Sequence, residues 1–370
     1  MKKKIELIDL KLRYKSEKKE ILKCLNKVLT KGSLVLTKEL QDFERDISSY
    51  TGIKYCLGLN SGTDALMMSL WSLGIGKGDE VITPAISFVA SVGAIVHVGA
   101  KPVLVDVNED LNINCDLIES KITKKTKAIM PVHWSGRICD MDRIKRIAKK
   151  YNLSVIEDAA QGMGSFYKAK RAGSFGEISA FSSHPLKNLN ALGDGGFILT
   201  NKKKLYEKIK RYRNHGMVKR DDAEIFGVNS RLDSLNAAVL SYRLKLLKGV
   251  VNKRRKNVNI YKKFLKIKQV KLPTEKNYEK SSYVMFIALC ENRDKLQKFL
   301  DTNGIQSLIY YGTPLHLHKA SKILGYKKRD FPIAESCAKK VLAFPIHQYL
   351  KKSEIINVCS KIKEFYEKND

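Results

Sequence analysis

Residues 55–84 read YCLGLNSGTDALMMSLWSLGIGKGDEVITP, and this stretch decides the fold class. A short apolar run, Tyr55 to Leu59, leads into a polar turn, Asn60 to Thr63. A helical pattern starts at Asp64 and ends near Gly74 or Gly76. A second short strand pattern, Glu80 to Thr83, follows. Strand, turn, helix, strand is the unit of a parallel sheet, because a parallel neighbour is reached only by a crossover.

The alternation continues outward. Pro102 to Asp106, Ala128 to Val132, Leu153 to Glu157, Ser179 to Phe181 and Gly196 to Thr200 read as strands, and Asp140 to Tyr151 reads as an amphipathic helix. Upstream, residues 17–50 read as helical with a break at Lys31-Gly32-Ser33. Downstream, Arg231 to Leu265 is one long helical pattern, after which the elements shorten. A chain of 370 residues exceeds one simple core. The expectation is an α/β protein: a large domain (1–245) with a mostly parallel central sheet covered by helices on both faces, and a smaller α+β C-terminal domain (246–370). In such sheets the ligand site lies at the carboxyl ends of the strands.

Composition narrows the function classes. With 44% hydrophobic and 29% charged residues, the chain is a folded protein rather than a disordered one. The formal charge of +31 invites a nucleic-acid reading. The lysines are spread along the chain, however, many on apparent helix faces such as Lys202, Lys203, Lys204, Lys208 and Lys210. No helix-turn-helix or zinc pattern accompanies them, so no nucleic-acid partner is expected. A positive field would instead attract an anionic substrate. The seven cysteines are scattered and never form a CxxC pair, which argues against a disulfide framework and a zinc site. A reducing cytoplasm fits, and no metal is expected. The start, MKKKIELIDL, is followed by no apolar stretch of signal-peptide length. Val81 to Ala100 lacks Asp, Glu, Lys and Arg and is long enough to span a bilayer. It also holds Thr83, Pro84, Ser87, Ser91, Gly93, His97 and Gly99, so a buried strand and helix is the expectation, with no membrane contact.

Three segments, each just after a strand, can carry chemistry. In Asn60-Ser61-Gly62-Thr63-Asp64, small residues open a helix, and exposed N–H groups with the Thr63 hydroxyl make an anion site; read alone this is an ordinary capping turn. In Val155-Ile156-Glu157-Asp158-Ala159-Ala160-Gln161, a strand delivers two carboxylates, and Asp158 at its end could hold a ring nitrogen protonated or merely cap a helix. In Phe181-Ser182-Ser183-His184-Pro185-Leu186-Lys187, a lysine sits in a stretch with little charge, near the glycines Gly193, Gly195 and Gly196. Most lysines are solvated, but a desolvated one loses its proton and attacks aldehydes. A phosphate cradle, a carboxylate and a reactive lysine are the parts that a pyridoxal-phosphate site requires.

With these residues in place, the chain resembles the DegT/DnrJ/EryC1/StrS family of sugar aminotransferases, of the fold-type I, aspartate aminotransferase-like class. The motifs are NSGTDAL (60–66), TPAISFVAS (83–91), PVHWSGRICDMD (131–142), VIEDAAQGMGS (155–165), FSSHPLKNLNALGDGG (181–196), RNHG (213–216), GVNSRLDSLNAAVL (227–240) and YYGTPLHLH (310–318). The resemblance implies pyridoxal 5'-phosphate as cofactor, linked covalently to Lys187. It implies that Asp158 pairs with the pyridine nitrogen, that Gln161 contacts the ring hydroxyl and that Phe88 stacks on the ring. Gly62, Thr63 and Ser182 would bind the phosphate, and Asn229 would reach the phosphate of a neighbouring subunit, which implies a homodimer with shared sites. Arg213, His215, Arg231, Tyr310, Tyr311 and His316 are candidates for substrate contacts. Structural ion pairs compete for Arg213 and Arg231, and a satisfied core histidine competes for His316.

The implied reaction moves an amino group from L-glutamate or glutamine to a keto-sugar, nucleotide-linked, as a 3-keto or 4-keto deoxyhexose. Amino-sugar and surface-polysaccharide synthesis would be its setting. Some residues depart from the family pattern: Ser183 and His184 stand where the family often has aromatic residues, which makes His184 a further substrate candidate, and a glycine common near Thr37 is missing. The GDGG form at Gly193 to Gly196 leans toward amination at sugar C3. Two other readings remain: a pyridoxal-phosphate sugar dehydratase, whose relatives place histidine where Lys187 stands, and a non-catalytic regulatory or nucleic-acid-binding member of the family.

Overall fold

The computed structural model describes residues 4–368. Seven strands form the central sheet: β1 (Tyr55–Leu59), β2 (Glu80–Pro84), β3 (Lys101–Val105), β4 (Thr126–Ile129), β5 (Ser154–Asp158), β6 (Ile178–Ser182) and β7 (Gly196–Thr200). Their spatial order is β1-β7-β6-β5-β4-β2-β3. The pairs β2/β3, β2/β4, β4/β5 and β5/β6 are parallel, whereas β7 runs antiparallel to both β6 and β1. β1 therefore points the same way as β5 and β6, and their carboxyl ends share one edge of the sheet.

The helices that cover the sheet are α2 (Lys38–Thr51), α3 (Gly62–Ser72), α4 (Val89–His97), α5 (Met141–Lys150) and α6 (Lys203–Tyr212), while α1 (Leu10–Leu29) packs on the long helix Ser234–Phe264. Side chains alternate along each strand, so consecutive residues enter different cores. Ile82, Val155, Phe197 and Leu199 join one buried cluster with Leu40, Phe43 and Ile47 of α2. Val81, Ile156 and Ile198 join another with Leu66 and Leu70 of α3, Ile95 of α4 and Ile209 of α6. A sheet covered on both faces follows, as the near-continuous apolar strands require.

Local chemistry sets the helix starts. Ser61 caps α3, accepting from Asp64 N at 3.0 Å, so the helix begins at Gly62 rather than at Asp64. Asp9 caps α1 by accepting from Leu12 N at 2.7 Å, which starts that helix at Leu10, earlier than the apolar pattern indicates. The uncharged stretch Val81 to Ala100 resolves into β2 and the nine-residue α4, both packed in the core. Among the described residues no helix is long and apolar enough to cross a membrane.

Helix α7 (Ser234–Phe264) carries the chain into the smaller unit. There β8 (Val270–Lys271), β9 (Phe286–Cys290) and β10 (Val341–Phe344) form an antiparallel sheet, packed with α8 (Arg293–Thr302), α9 (Pro332–Lys340) and α10 (Lys352–Glu367). Its core joins Val258 and Tyr261 of α7 to Phe286, Phe344, Leu296, Leu300, Ile355 and Ile362. The expected boundary at 245/246 thus falls inside a continuous helix. The amino-terminal segment also crosses over: Ile5 bridges to Ile305, and Leu7 N donates to Gln306 Oε1 at 2.8 Å. Backbone pairing decides this attachment, and the apolar pattern of residues 5–10 does not reveal it.

Candidate active site

The edge where β1, β2, β5 and β6 end opens into a cavity of about 340 Å³. The three segments singled out in the sequence converge there: Ser61 to Thr63 after β1, Asp158 at the end of β5, and Ser182 to Lys187 after β6. Phe88, Gln161 and His184 line it too, and the smaller unit contributes Met285, Tyr310 and Tyr311.

Lys187 follows the turn begun by Pro185, its N–H donating to His184 O at 2.8 Å. Burial lowers the ammonium from 10.5 to about 8, against the opposing pull of the nearby Asp158 carboxylate. A lysine in this state is neutral often enough to react with a carbonyl near neutral pH. Asp158 is buried, and burial pushes its carboxyl above the ordinary aspartate value. Donors oppose that push: Ser91 Oγ donates to Oδ2 at 2.7 Å and Ala160 N donates to Oδ1 at 3.2 Å. The neighbouring Glu157 points to the other face of β5. There it bonds His133 Nε2 at 2.9 Å and accepts the N–H groups of Gly173, Phe175 and Gly176. Strand alternation thus separates the two carboxylates into one that faces the cavity and one that holds a loop.

The other side chains fit a flat, phosphorylated ring. Phe88 is 53% exposed, an unusual state for phenylalanine, and lies 5.9 Å from the Tyr311 ring. Gln161 Oε1 accepts from Ser135 N at 2.7 Å, which leaves its Nε2 as the end that can donate to a ring oxygen. At the start of α3, the N–H groups of Gly62 and Thr63 precede the first intrahelical bond, from Ala65 N to Ser61 O. They are free for an anion, as helix starts generally are. A Cβ on Gly62 would come within 2.7 Å of Ser182 Cβ, so the start of α3 approaches the end of β6 this closely only because residue 62 has no side chain. These features match pyridoxal 5'-phosphate: a reactive amine, a carboxylate, an aromatic face and an anion seat in one cavity.

Several candidates lie elsewhere in the single chain. Arg213 is buried beneath β1, paired with Glu44 and donating to Gly58 O at 2.9 Å, outside this cavity. In this chain its charge pairs with Glu44 beside a strand at the sheet's edge, the structural ion pair that competed with a substrate role in the sequence. His316 is buried, with Nε2 3.1 Å from Glu335 Oε1 and its ring 4.7 Å from Phe331, and it too lies outside the cavity. His215 is exposed, with φ 59°, and does not line the cavity. Asn229 and Arg231 border a separate recess with Leu34 and Asn60; Asn60 Nδ2 donates to Asn229 O at 3.1 Å, and Arg231 donates to Asn214 Oδ1 at 3.0 Å. The sequence reading did not identify Ser87, Ser91, Asp194 and Met285 as cavity residues. The two serines stand in the TPAISFVAS motif, where the start of a helix after β2 is the signal that could have found them.

The model of the DegT/DnrJ/EryC1/StrS aminotransferase family matches residues 15–363. The chain is 41% identical over 363 residues to dTDP-3-amino-3,6-dideoxy-alpha-D-galactopyranose transaminase of Aneurinibacillus thermoaerophilus, covering 98% of each protein. It is 39% identical over 366 residues to the "Pleiotropic regulatory protein" of Geobacillus stearothermophilus, again covering 98% of each. Among solved structures, S. venezuelae DesV in complex with a ketimine intermediate superposes with a TM-score of 0.96 at 35% identity, over 99% of both chains. With the fold, the cavity and these likenesses in agreement, the chain belongs to the DegT/DnrJ/EryC1/StrS aminotransferase family, and it is a pyridoxal-phosphate-dependent sugar aminotransferase.

Proposed function

We propose that the protein transfers an amino group from L-glutamate or glutamine to a nucleotide-linked keto-sugar, a 3-keto or 4-keto deoxyhexose, in amino-sugar and surface-polysaccharide synthesis. Its named relative acts on a dTDP-linked 3-amino sugar, which together with the GDGG sequence at Gly193 to Gly196 supports position C3. The observation that carries the reading is the meeting of Lys187 and Asp158 in one cavity, with the amine held near pKa 8.

Bound pyridoxal 5'-phosphate supplies the electron sink for the carbon that loses its proton. Lys187 Nζ would anchor the cofactor and, as a neutral amine, would take up and give back a proton at Nζ. Asp158 keeps a proton on the ring nitrogen by offering a buried negative charge. Phe88 covers one ring face and excludes water from it. Gln161 Nε2 orients the ring through its hydroxyl, and the N–H groups of Gly62 and Thr63 with Ser182 Oγ seat the phosphate. His184, Tyr310 and Tyr311 are placed to meet the sugar. A cytoplasmic homodimer completes the proposal, with Asn229 of each subunit reaching the neighbour's phosphate and Arg231 and His215 beside it.

Lys187 in the cavity disfavours the dehydratase reading, whose relatives lack a lysine there. The deciding experiment is the absorbance spectrum of protein mixed with pyridoxal phosphate, before and after L-glutamate, for the wild type and Lys187→Ala. The expected result is a visible band in the wild type that glutamate shifts and that the variant never forms. Screening dTDP- and UDP-linked keto-sugars for reversal of the shift then identifies the acceptor. A wild type that forms the band but responds to no amino donor would sink the transaminase assignment.

A further inference from the structure

We infer that Ser91 is a positioning residue that acts through Asp158, and that a hydroxyl chain from Ser87 through Ser91 supports the Asp158 carboxylate at Oδ2. Ser87 Oγ lies 2.9 Å from Ser91 Oγ, and Ser91 Oγ lies 2.7 Å from Asp158 Oδ2. All three side chains are buried. An ionised carboxylate only accepts hydrogen bonds, so Ser91 must donate to Asp158. Its own lone pairs then receive the Ser87 hydroxyl. The polarity of the chain is thus set by the charge on Asp158, and the chain in turn favours that charge.

The need for such support is physical. A carboxylate taken out of water protonates unless donors or cations hold it charged. The groups facing Asp158 are the Ser91 hydroxyl from α4, the Ala160 N–H, Lys187 from the loop after β6 and the Tyr311 phenol from the smaller unit; His133, from the loop after β4, acts from the opposite face of β5, where it bonds Glu157. Lys187 is at times neutral and is then no cation for Asp158. The hydroxyl and the amide are the donors that do not change. Ser87, Phe88 and Ser91 belong to one five-residue piece at the start of α4, so the ring face and the ring nitrogen are served by the same turn.

This inference rests on Asp158 being the partner of the ring nitrogen, and the test separates the two claims. Wild type, Ser91→Ala, Ser91→Thr, Ser87→Ala, Asp158→Asn and the Ser91→Ala/Asp158→Asn double variant are loaded with pyridoxal phosphate carrying a ¹⁵N label in the ring. The ring-nitrogen shift is followed against pH, and cofactor affinity is read from absorbance. Loss of a hydrogen bond to a charged group predicts roughly tenfold weaker cofactor binding in Ser91→Ala. The ring nitrogen should also lose its proton at lower pH than in the wild type. Ser91→Thr restores both, and Ser87→Ala, which spares the direct bond, gives about a twofold change of the same sign. In the Asp158→Asn background, Ser91→Ala adds almost nothing. Wild-type titration and affinity in Ser91→Ala would overturn the inference, as would an undiminished effect in the Asp158→Asn background. An unchanged ring-nitrogen titration in Asp158→Asn alone would instead overturn the assignment of Asp158.

Discussion

Replacing Lys187 with methionine should stabilise the cofactor-free protein, and the gain should shrink as pH rises. A fall in the ammonium's pKa from 10.5 to about 8 means that folding holds a charge where it is unwelcome. At about 1.4 kcal/mol per pH unit, the cost at pH 7 is about 3 kcal/mol. The sign follows from linkage: between about pH 8 and 10.5 the unfolded chain binds more protons at this site than the folded one, so wild-type stability rises with pH through that window. At pH 10 the cost has fallen to about 1 kcal/mol. Methionine removes the titration and adds a packing change that does not depend on pH. Urea denaturation of both proteins at the two pH values therefore isolates the effect: the variant's advantage should fall by about 2 kcal/mol from pH 7 to pH 10. The rate of pyridoxal-phosphate uptake by the wild type should rise with pH and level off just above 8, where the amine is neutral. An advantage that does not change with pH, together with uptake still rising beyond pH 10, would show that Lys187 is an ordinary solvated lysine and refute the reasoning.

Other outcomes follow from the same geometry. Asp158→Asn should keep the cofactor but lower the half-reaction rate with glutamate by about 10²–10⁴-fold, measured by stopped-flow absorbance. Gly62→Ala should weaken cofactor binding strongly, because its Cβ would come within 2.7 Å of Ser182 Cβ in the phosphate seat; fluorescence titration checks this, and wild-type affinity would remove the seat from α3. Arg213→Ala should leave the largely buried Glu44 without its cation, cost up to about 3 kcal/mol in stability and leave the KM for the sugar unchanged. A raised KM at wild-type stability would return Arg213 to the substrate.

The parts of the fold legible in the sequence were those with strong local signals. β1, α3 and β2 showed through the switch from short apolar runs to a helical period, and Lys187 showed through its low-charge, glycine-flanked setting. The strand order was not legible, because β7 enters antiparallel between β1 and β6 and nothing local encodes that choice. Arg213 and His316 stand inside recognisable motifs, yet the Arg213 side chain turns into an ion pair with Glu44, far away in the chain, and the His316 ring bonds Glu335 on α9. Motif membership gives a position on the backbone, whereas the direction of a side chain depends on packing partners. Ser91 is the converse case, a plain helix residue that becomes important only because β5 brings Asp158 beside it.

Helix α7 spans Ser234–Phe264, and at 1.5 Å per residue it is a rod of about 46 Å. Its first half packs with the large core and its second half with the small one. From the second half, Arg254 donates to the carbonyls of Tyr283 and Val284, next to Met285 in the cavity wall. The rod therefore works as a ruler: the gap between the Lys187 side of the cavity and the Met285 side is set by helix length rather than by a slack linker. A chimera that exchanges the smaller unit between relatives would have to be spliced within this helix, in register. A splice displaced by one residue turns the attached unit by about 100°, so whole-unit exchange should be far less forgiving here than exchange of the loops that line the cavity.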